Sequence, residues 1–250
     1  MMKRFALVLT ALLLAGPALA AAPAQCLMAQ HLLEHVFPLP HTARAIAAKK
    51  LDVLVVGAGS SRLPGPNGPQ LAYPARLQSA LTELLPGVTV KVATDVKRHR
   101  TAAAMAKSMK AVLAASKPAL VIWQTGTVDA MQGVDPDRFN DTLEQGIAMA
   151  RGAGADVILV NAQYSPRTES MIALGNYADE MRWIALQHEV PLFNRFKIMR
   201  EWADLGTFDF TGAKNKLRVA ARVHNCIAWL LADLVTQAVK SGEPQTEGAR

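Results

Sequence analysis

The sequence predicts an α/β fold, a three-layer α/β/α sandwich around a parallel sheet. Short apolar, β-branched runs of strand length recur four or five times, and they are nearly continuous, as in strands buried on both faces. Between them lie segments with apolar residues at helical spacing. The connections are short, and no linker or shift of composition interrupts residues 51–240, so one domain is expected there.

The first strand is expected over residues 51–57, where Leu51, Val53, Leu54, Val55 and Val56 run into Gly57. A helix over 74–85 follows, with Leu77, Leu81, Leu84 and Leu85 on one face and Pro86-Gly87 as its stop. Residues 88–93 read as the second strand and 101–115 as an Ala/Met/Lys helix. The third strand, 119–124, is entered from Pro118 and left through Gly126. Asp135 suits an N-cap and Pro136 the first helical position of a helix reaching about 151, where Gly152 and Gly154 end it. A fourth strand over 155–160, a helix over 170–188 and a short fifth strand over 190–193 come next. Helices over 195–203 and 213–239 close the domain. Residues 23–50 read as a helical N-terminal extension and 241–250 as a disordered polar tail.

Lys3-Arg4, an apolar run from Phe5 to Ala15, and small residues at Ala18, Ala20 and Ala22 predict a signal peptide over 1–22. That run is roughly a dozen residues, short of the ~20 that span a bilayer. A secreted, periplasmic protein is expected, and no later stretch reads as long and apolar enough to cross a membrane. Of 27 Lys+Arg and 20 Asp+Glu, the segment carries Lys3 and Arg4. The remaining excess of basic residues is mild and does not point to nucleic acid. Two cysteines exclude a disulfide-dense scaffold and a Cys-based zinc finger. In an oxidising compartment Cys26 and Cys226 are expected to pair, pinning the extension to the last helix, with two unpaired thiols as the alternative. No cofactor and no metal are expected. His31 and His35 share i,i+4 spacing but have no third ligand nearby. Asp135, Asp137 and Asp141 crowd a helix start, where the dipole accounts for them.

In an open parallel sheet, ligands sit beyond the carboxyl ends of the strands. The segments to weigh are therefore 57–61, 94–100, 125–129, 161–165 and 209–218. A dinucleotide fingerprint at Gly57-Ala58-Gly59-Ser60-Ser61 is rejected, because Arg62 holds the third-glycine position and Leu63-Pro64-Gly65-Pro66 cannot open a helix.

The same turn belongs to a wider pattern, with Tyr73-Pro74, Trp123-Gln124-Thr125-Gly126-Thr127, Asn161-Ala162-Gln163-Tyr164 and Phe193-Asn194-Arg195-Phe196. In order and spacing this resembles the secreted SGNH/GDSL-type hydrolases of bacteria over nearly the whole mature chain. The resemblance implies an SGNH-hydrolase-like, flavodoxin-like sandwich and ester hydrolysis. It implies a serine nucleophile after the first strand, a glycine and an asparagine completing an oxyanion hole, and an Asp-x-x-His pair before the last helix. Set against that pattern, Gly59 stands at the nucleophile, Arg98 at the oxyanion glycine and Val128 at the asparagine. Counting back from Cys226, which matches a family cysteine, Asn215 and Arg218 stand at the Asp and His.

The expected function is thus a periplasmic member of that family with an impaired catalytic set. It would act as a binding or accessory protein for an envelope or polysaccharide ligand, alone or beside an active paralogue. The alternative is an acyl or acetyl esterase with a relocated site, Ser60 as nucleophile, His99 as base and Asp129 bracing the loop. Against it, Ser60 is a ~3.8 Å backbone step from the lost position. His224, two turns beyond Arg218, is expected to pack rather than catalyse. Ser60, Arg98, Arg218 and Tyr164 are the expected ligand-binding residues. Arg98 and Arg218 would form a two-sided fork for a carboxylate, sulfate or phosphate of an acidic polysaccharide or another anionic envelope ligand, such as a lipid headgroup or peptidoglycan.

Overall fold

The computed structural model describes residues 23–27, 29–33 and 36–242. The expected signal peptide, His35 and residues 243–250 of the expected tail lie outside the described residues.

A short helix α1 (Ala24–Leu27), a 3-10 turn (Gln30–Leu32) and α2 (Pro40–Ala47) lead into β1 (Lys50–Gly57). Next come α3 (Gly68–Leu71), α4 (Tyr73–Leu84), β2 (Thr89–Val96), α5 (Ala102–Ser116) and β3 (Leu120–Gln124). They are followed by α6 (Thr127–Gln132), α7 (Pro136–Gly152), β4 (Asp156–Val160), α8 (Pro166–Glu169) and α9 (Leu174–Gln187). The chain closes with β5 (Leu192–Phe193), α10 (Arg195–Asp204) and α11 (Lys216–Ser241).

The strands pair in parallel in the order β2-β1-β3-β4-β5. β3 and β4 are buried at every position, which is why their sequences run apolar without alternation. β2 lies at an edge and is partly exposed. Helices cover the sheet in two packed groups: α4 with α11, and α5, α7 and α9 in succession. The chain steps from β1 to β2 on one side and then to β3 on the other. The strand order therefore reverses between β1 and β3, and a crevice opens at their carboxyl ends.

Several boundaries follow from local chemistry. Asp135 Oδ1 accepts from the Arg138 amide, so the expected cap of α7 is made. The expected helix over 170–188 instead begins at Leu174, and a separate α8 is capped by Ser165, whose Oγ accepts from the Thr168 amide. The segment after β3, read as a loop, is the helix α6. α11 starts at Lys216 rather than 213 because Asn215 Oδ1 caps it, accepting from the Arg218 amide.

The N-terminal extension is tied down in three ways. Thr42 donates through its amide and hydroxyl to buried Asp156 Oδ2, at 2.7 and 2.8 Å. The Leu39 amide donates to the Ala238 carbonyl. Cys26 and Cys226 form the expected disulfide, with Cα atoms 5.0 Å apart. One expectation is corrected. α11 has 26 residues and a window of mean hydropathy 1.2, so a later segment is long and apolar enough to cross a membrane. Here that apolar face, with Ile227, Leu230, Leu231 and Leu234, is spent on the core.

Candidate functional site

A cavity of about 450 Å³ opens at the carboxyl ends of β1, β3 and β4. Gly59 and Ser60 enter it from the turn after β1, Thr127 from α6, and Gln163 and Tyr164 from the segment after β4. One wall is α11, which turns Lys216, Val219, Ala220 and Val223 inward at helical spacing, with His224 behind them.

The turn after β1 is shaped by close contacts. A side chain at Gly57 would place its Cβ 2.4 Å from Ser61 Oγ, so only glycine fits. Ser60 Oγ and Ser61 Oγ both donate to Gln124 Oε1, at 2.9 and 2.8 Å, from the end of β3. Ser61 Oγ also meets the Tyr73 hydroxyl at 3.0 Å, and burial pushes the pKa of that phenol up. Both serine protons therefore go to an amide oxygen, which is not a base at neutral pH.

Arg195, the first residue of α10, is 1% exposed and lines the cavity. Its Nη1 donates to the Ser60 carbonyl at 3.0 Å, its Nη2 to Gln163 Oε1 at 3.1 Å, and its Nε faces Met199 Sδ at 3.4 Å. Burial lowers its pKa to about 10, so the guanidinium stays charged at neutral pH. Buried Arg100 differs, because Asp95 pairs with it at 2.8 Å. Among the described residues no carboxylate lies within ion-pair distance of Arg195.

His224 is buried, and its Nδ1 accepts the Tyr73 amide at 2.9 Å. That bond leaves the proton of the neutral ring on Nε2. Burial first, and the Arg195 charge second, lower its pKa to about 3. An imidazole held in this state donates a hydrogen bond and resists taking a proton.

The other expected site residues divide. Ser60 and Tyr164 line the cavity, and Tyr164 packs edge-on against Phe196. Asp129 is buried beneath the loops and accepts from the Ala102 amide, Thr125 Oγ1 and the Gly126 amide. Burial raises its pKa against those bonds. It braces the start of α5 and the turn after β3. His99 is exposed at φ 58°, outside the cavity lining, and Ser60 Oγ goes to Gln124 rather than to this ring. Arg98 lies beside Gly59, its Cγ 3.9 Å from where a Cβ would stand, yet it does not line the cavity.

Arg218 does not line it either, so the two-sided fork expected of Arg98 and Arg218 does not face this cavity, and the buried guanidinium that does is that of Arg195. Helical spacing is the cause. Lys216, Val219 and Val223 take the cavity face, while Arg218 falls on the stripe of Arg222, which reaches Gln25 Oε1 and covers the Phe208 ring at 5.3 Å. Asn215 and Arg218, at the motif's Asp and His positions, serve the N-cap of α11. Of the expected histidine pair, His31 meets Glu201 at 3.2 Å. Among the described residues no three His, Cys, Asp or Glu side chains gather as metal ligands.

Sequence reasoning missed Arg195, Gln124 and the engaged Nδ1 of His224. Arg195 follows the fifth strand directly, so extending the strand-end search to β5 would have reached it.

A parallel sheet in this order, with a glycine turn after β1 and a ligand-sized cavity at the switch point, defines an SGNH/GDSL-type sandwich. The sequence model of the Non-GDSL lipase-like family matches residues 25–241, and the chain belongs to that family. Among solved structures it is similar to TesA, at 24% identity and TM-score 0.58, over 73% of this chain and 99% of that one. It is similar to LAE5, an alpha/beta hydrolase from the metagenome of Lake Arreo, at 17% identity and TM-score 0.59, over 78% and 97%. It also resembles Axe2, an acetylxylan esterase from Geobacillus stearothermophilus, at 16% identity and TM-score 0.57, over 76% and 94%. A search of curated proteins finds no match.

Proposed function

We propose that this chain is an exported, non-hydrolytic member of its family that binds a ligand of the cell envelope or its polysaccharides in the strand-end cavity. The observation that carries this reading is the fate of the Ser60 proton, donated to the Gln124 amide oxygen at 2.9 Å. A serine nucleophile needs a base at that place. His224, the imidazole on the same cavity, has its Nδ1 engaged by the Tyr73 amide and so presents a donor. Gly59, Val128 and Arg218 at the motif's functional positions support the same conclusion. The disulfide supports export, because such bonds persist in oxidising compartments.

A second reading, hydrolysis of acyl or acetyl esters at Ser60, draws on Ser60 and His224 lining one cavity and on the esterase names of the structural neighbours. Turnover of p-nitrophenyl acetate and butyrate separates the two. Losing the nucleophile or base of a triad costs about a millionfold in kcat. Release of nitrophenol is therefore expected at the uncatalysed rate and unchanged in Ser60→Ala. Turnover that vanishes in Ser60→Ala, and in either His99→Ala or His224→Ala, would establish the hydrolase instead.

A further inference from the structure

Arg195 is a buried cation whose partners are neutral: a carbonyl, an amide oxygen and a thioether. A guanidinium taken out of water without a counter-ion is costly, and proteins keep such a group where an anion completes it. Three of its five N–H groups are engaged, leaving one on each terminal nitrogen. Arg62 and Lys216 line the same cavity, against a single carboxylate, Asp209. Asp209 Oδ1 is already committed to the Thr211 and Gly212 amides at 2.9 and 2.7 Å. The lining thus carries three cationic side chains, Arg62, Arg195 and Lys216, against one carboxylate, and none of the three is ion-paired to it.

The remaining wall decides what carries that charge. Leu63, Met199, Phe210, Val219 and Val223 make it largely apolar. The neutral polar side chains are mostly engaged: Ser165 Oγ with Thr168 Oγ1, Thr127 Oγ1 with the Gln163 amide, and Gln163 Oε1 with Arg195. A ligand rich in hydroxyls finds few open partners, whereas one charged head on an apolar body finds both.

We propose that the cavity binds a compact organic carboxylate, its head group seated on Arg195 with Lys216 at the mouth, and its apolar body along α11. This rests on reading the cavity as a binding site, and it names the ligand's chemistry. The carboxylate can come from an acyl chain or from a uronate of an acidic glycan. The apolar wall favours the acyl chain.

Calorimetric titration of the protein with octanoate, octanamide and trigalacturonate tests this. Octanoate is expected to bind at least about tenfold more tightly than octanamide, less so in high salt. Arg195→Met should abolish that preference, and exposed Lys216→Ala, which disturbs no packing, should weaken octanoate by several-fold. Arg218→Ala, off the cavity face, should leave it unchanged. Trigalacturonate binding more tightly than octanoate, with the same dependence on Arg195, would keep the carboxylate site and assign it to a glycan. Equal affinity for octanoate and octanamide, no binding of either carboxylate, or affinity untouched by both Arg195→Met and Lys216→Ala would overturn the proposal. Absence of carboxylate binding leaves the non-hydrolytic reading standing. Conversely, Ser60-dependent ester turnover would overturn that reading while leaving this site in place.

Discussion

With Nδ1 committed to the Tyr73 amide and the ring buried near the Arg195 charge, His224 is neutral in the folded chain, its pKa lowered to about 3. In the unfolded chain the ring protonates near the ordinary value of about 6.5. Below that pH the unfolded state binds the extra proton, so stability falls as pH drops from 6.5 towards 3. Integrated over the interval between pH 6.5 and 5, this one group removes up to about 2 kcal/mol. Asp95, held down by Arg100 and Ser108 against the effect of burial, also loses stability in acid, while raised Asp129 works the other way. The informative quantity is therefore the difference between the parent and His224→Gln. Urea unfolding should find the variant less stable at pH 7 and losing up to about 2 kcal/mol less between pH 6.5 and 5. Parallel pH profiles would mean that the ring is protonated in the fold or reached by solvent.

Packing of α7 on β3 turns on a glycine that helix propensity disfavours. Gly146 lies inside α7, where glycine costs about 1 kcal/mol relative to alanine. A Cβ there would stand 2.2 Å from Trp123 Cζ3 and 2.4 Å from Cη2. The indole is fully buried, and its Nε1 points to Met105 Sδ at 3.3 Å, so it has little freedom to retreat. Gly146→Ala should therefore destabilise by about 1–3 kcal/mol, overpacking outweighing the gain in propensity. Adding Trp123→Leu should recover part of that loss by admitting the methyl group, a coupling that a double-mutant cycle in urea reads directly. A stabilised Gly146→Ala would show that propensity wins here. Elements were legible in sequence where their signals are local. Asp135-Pro136 marks the start of α7 because a side-chain cap and a fixed φ act within one turn. Leu174 opens α9 with no side-chain cap, so nothing nearby marks that start, and the expected helix ran four residues too early.

The parallel sheet between helical layers follows from alternation and short connections, and a site beyond the carboxyl ends of the strands follows from the parallel sheet, so both were readable before any coordinates; the strand order itself was not. Nor was the charge of the cavity. Arg195 is one basic residue among many in sequence and becomes a buried, unpaired cation only when β1, β4 and α10 converge on it. Arg98 and Arg218 stood out by motif position, yet the pitch of α11 turns Arg218 away. The cysteine pair needed less, since two cysteines in a chain expected to be exported allow one intramolecular pairing. That bond joins residues 200 apart and clamps α1 to α11, the helix that also walls the cavity. In the chain-entropy model a loop of this length stabilises the fold by up to about 5 kcal/mol. The contacts of α1 with α11 and of Thr42 with Asp156 do not depend on the bridge and are expected to outlast its reduction, so the expected loss belongs mainly to the unfolded state. The Cys26→Ser/Cys226→Ser variant should therefore unfold at lower urea by about 2–5 kcal/mol while keeping the far-UV spectrum and the carboxylate affinity of the parent. Equal stability of the oxidised and serine proteins would mean that the bridge adds nothing to the constraint the sheet already imposes. Loss of the carboxylate site in the variant would make the bridge a positioning element for α11, extending its role from the unfolded chain to the cavity wall.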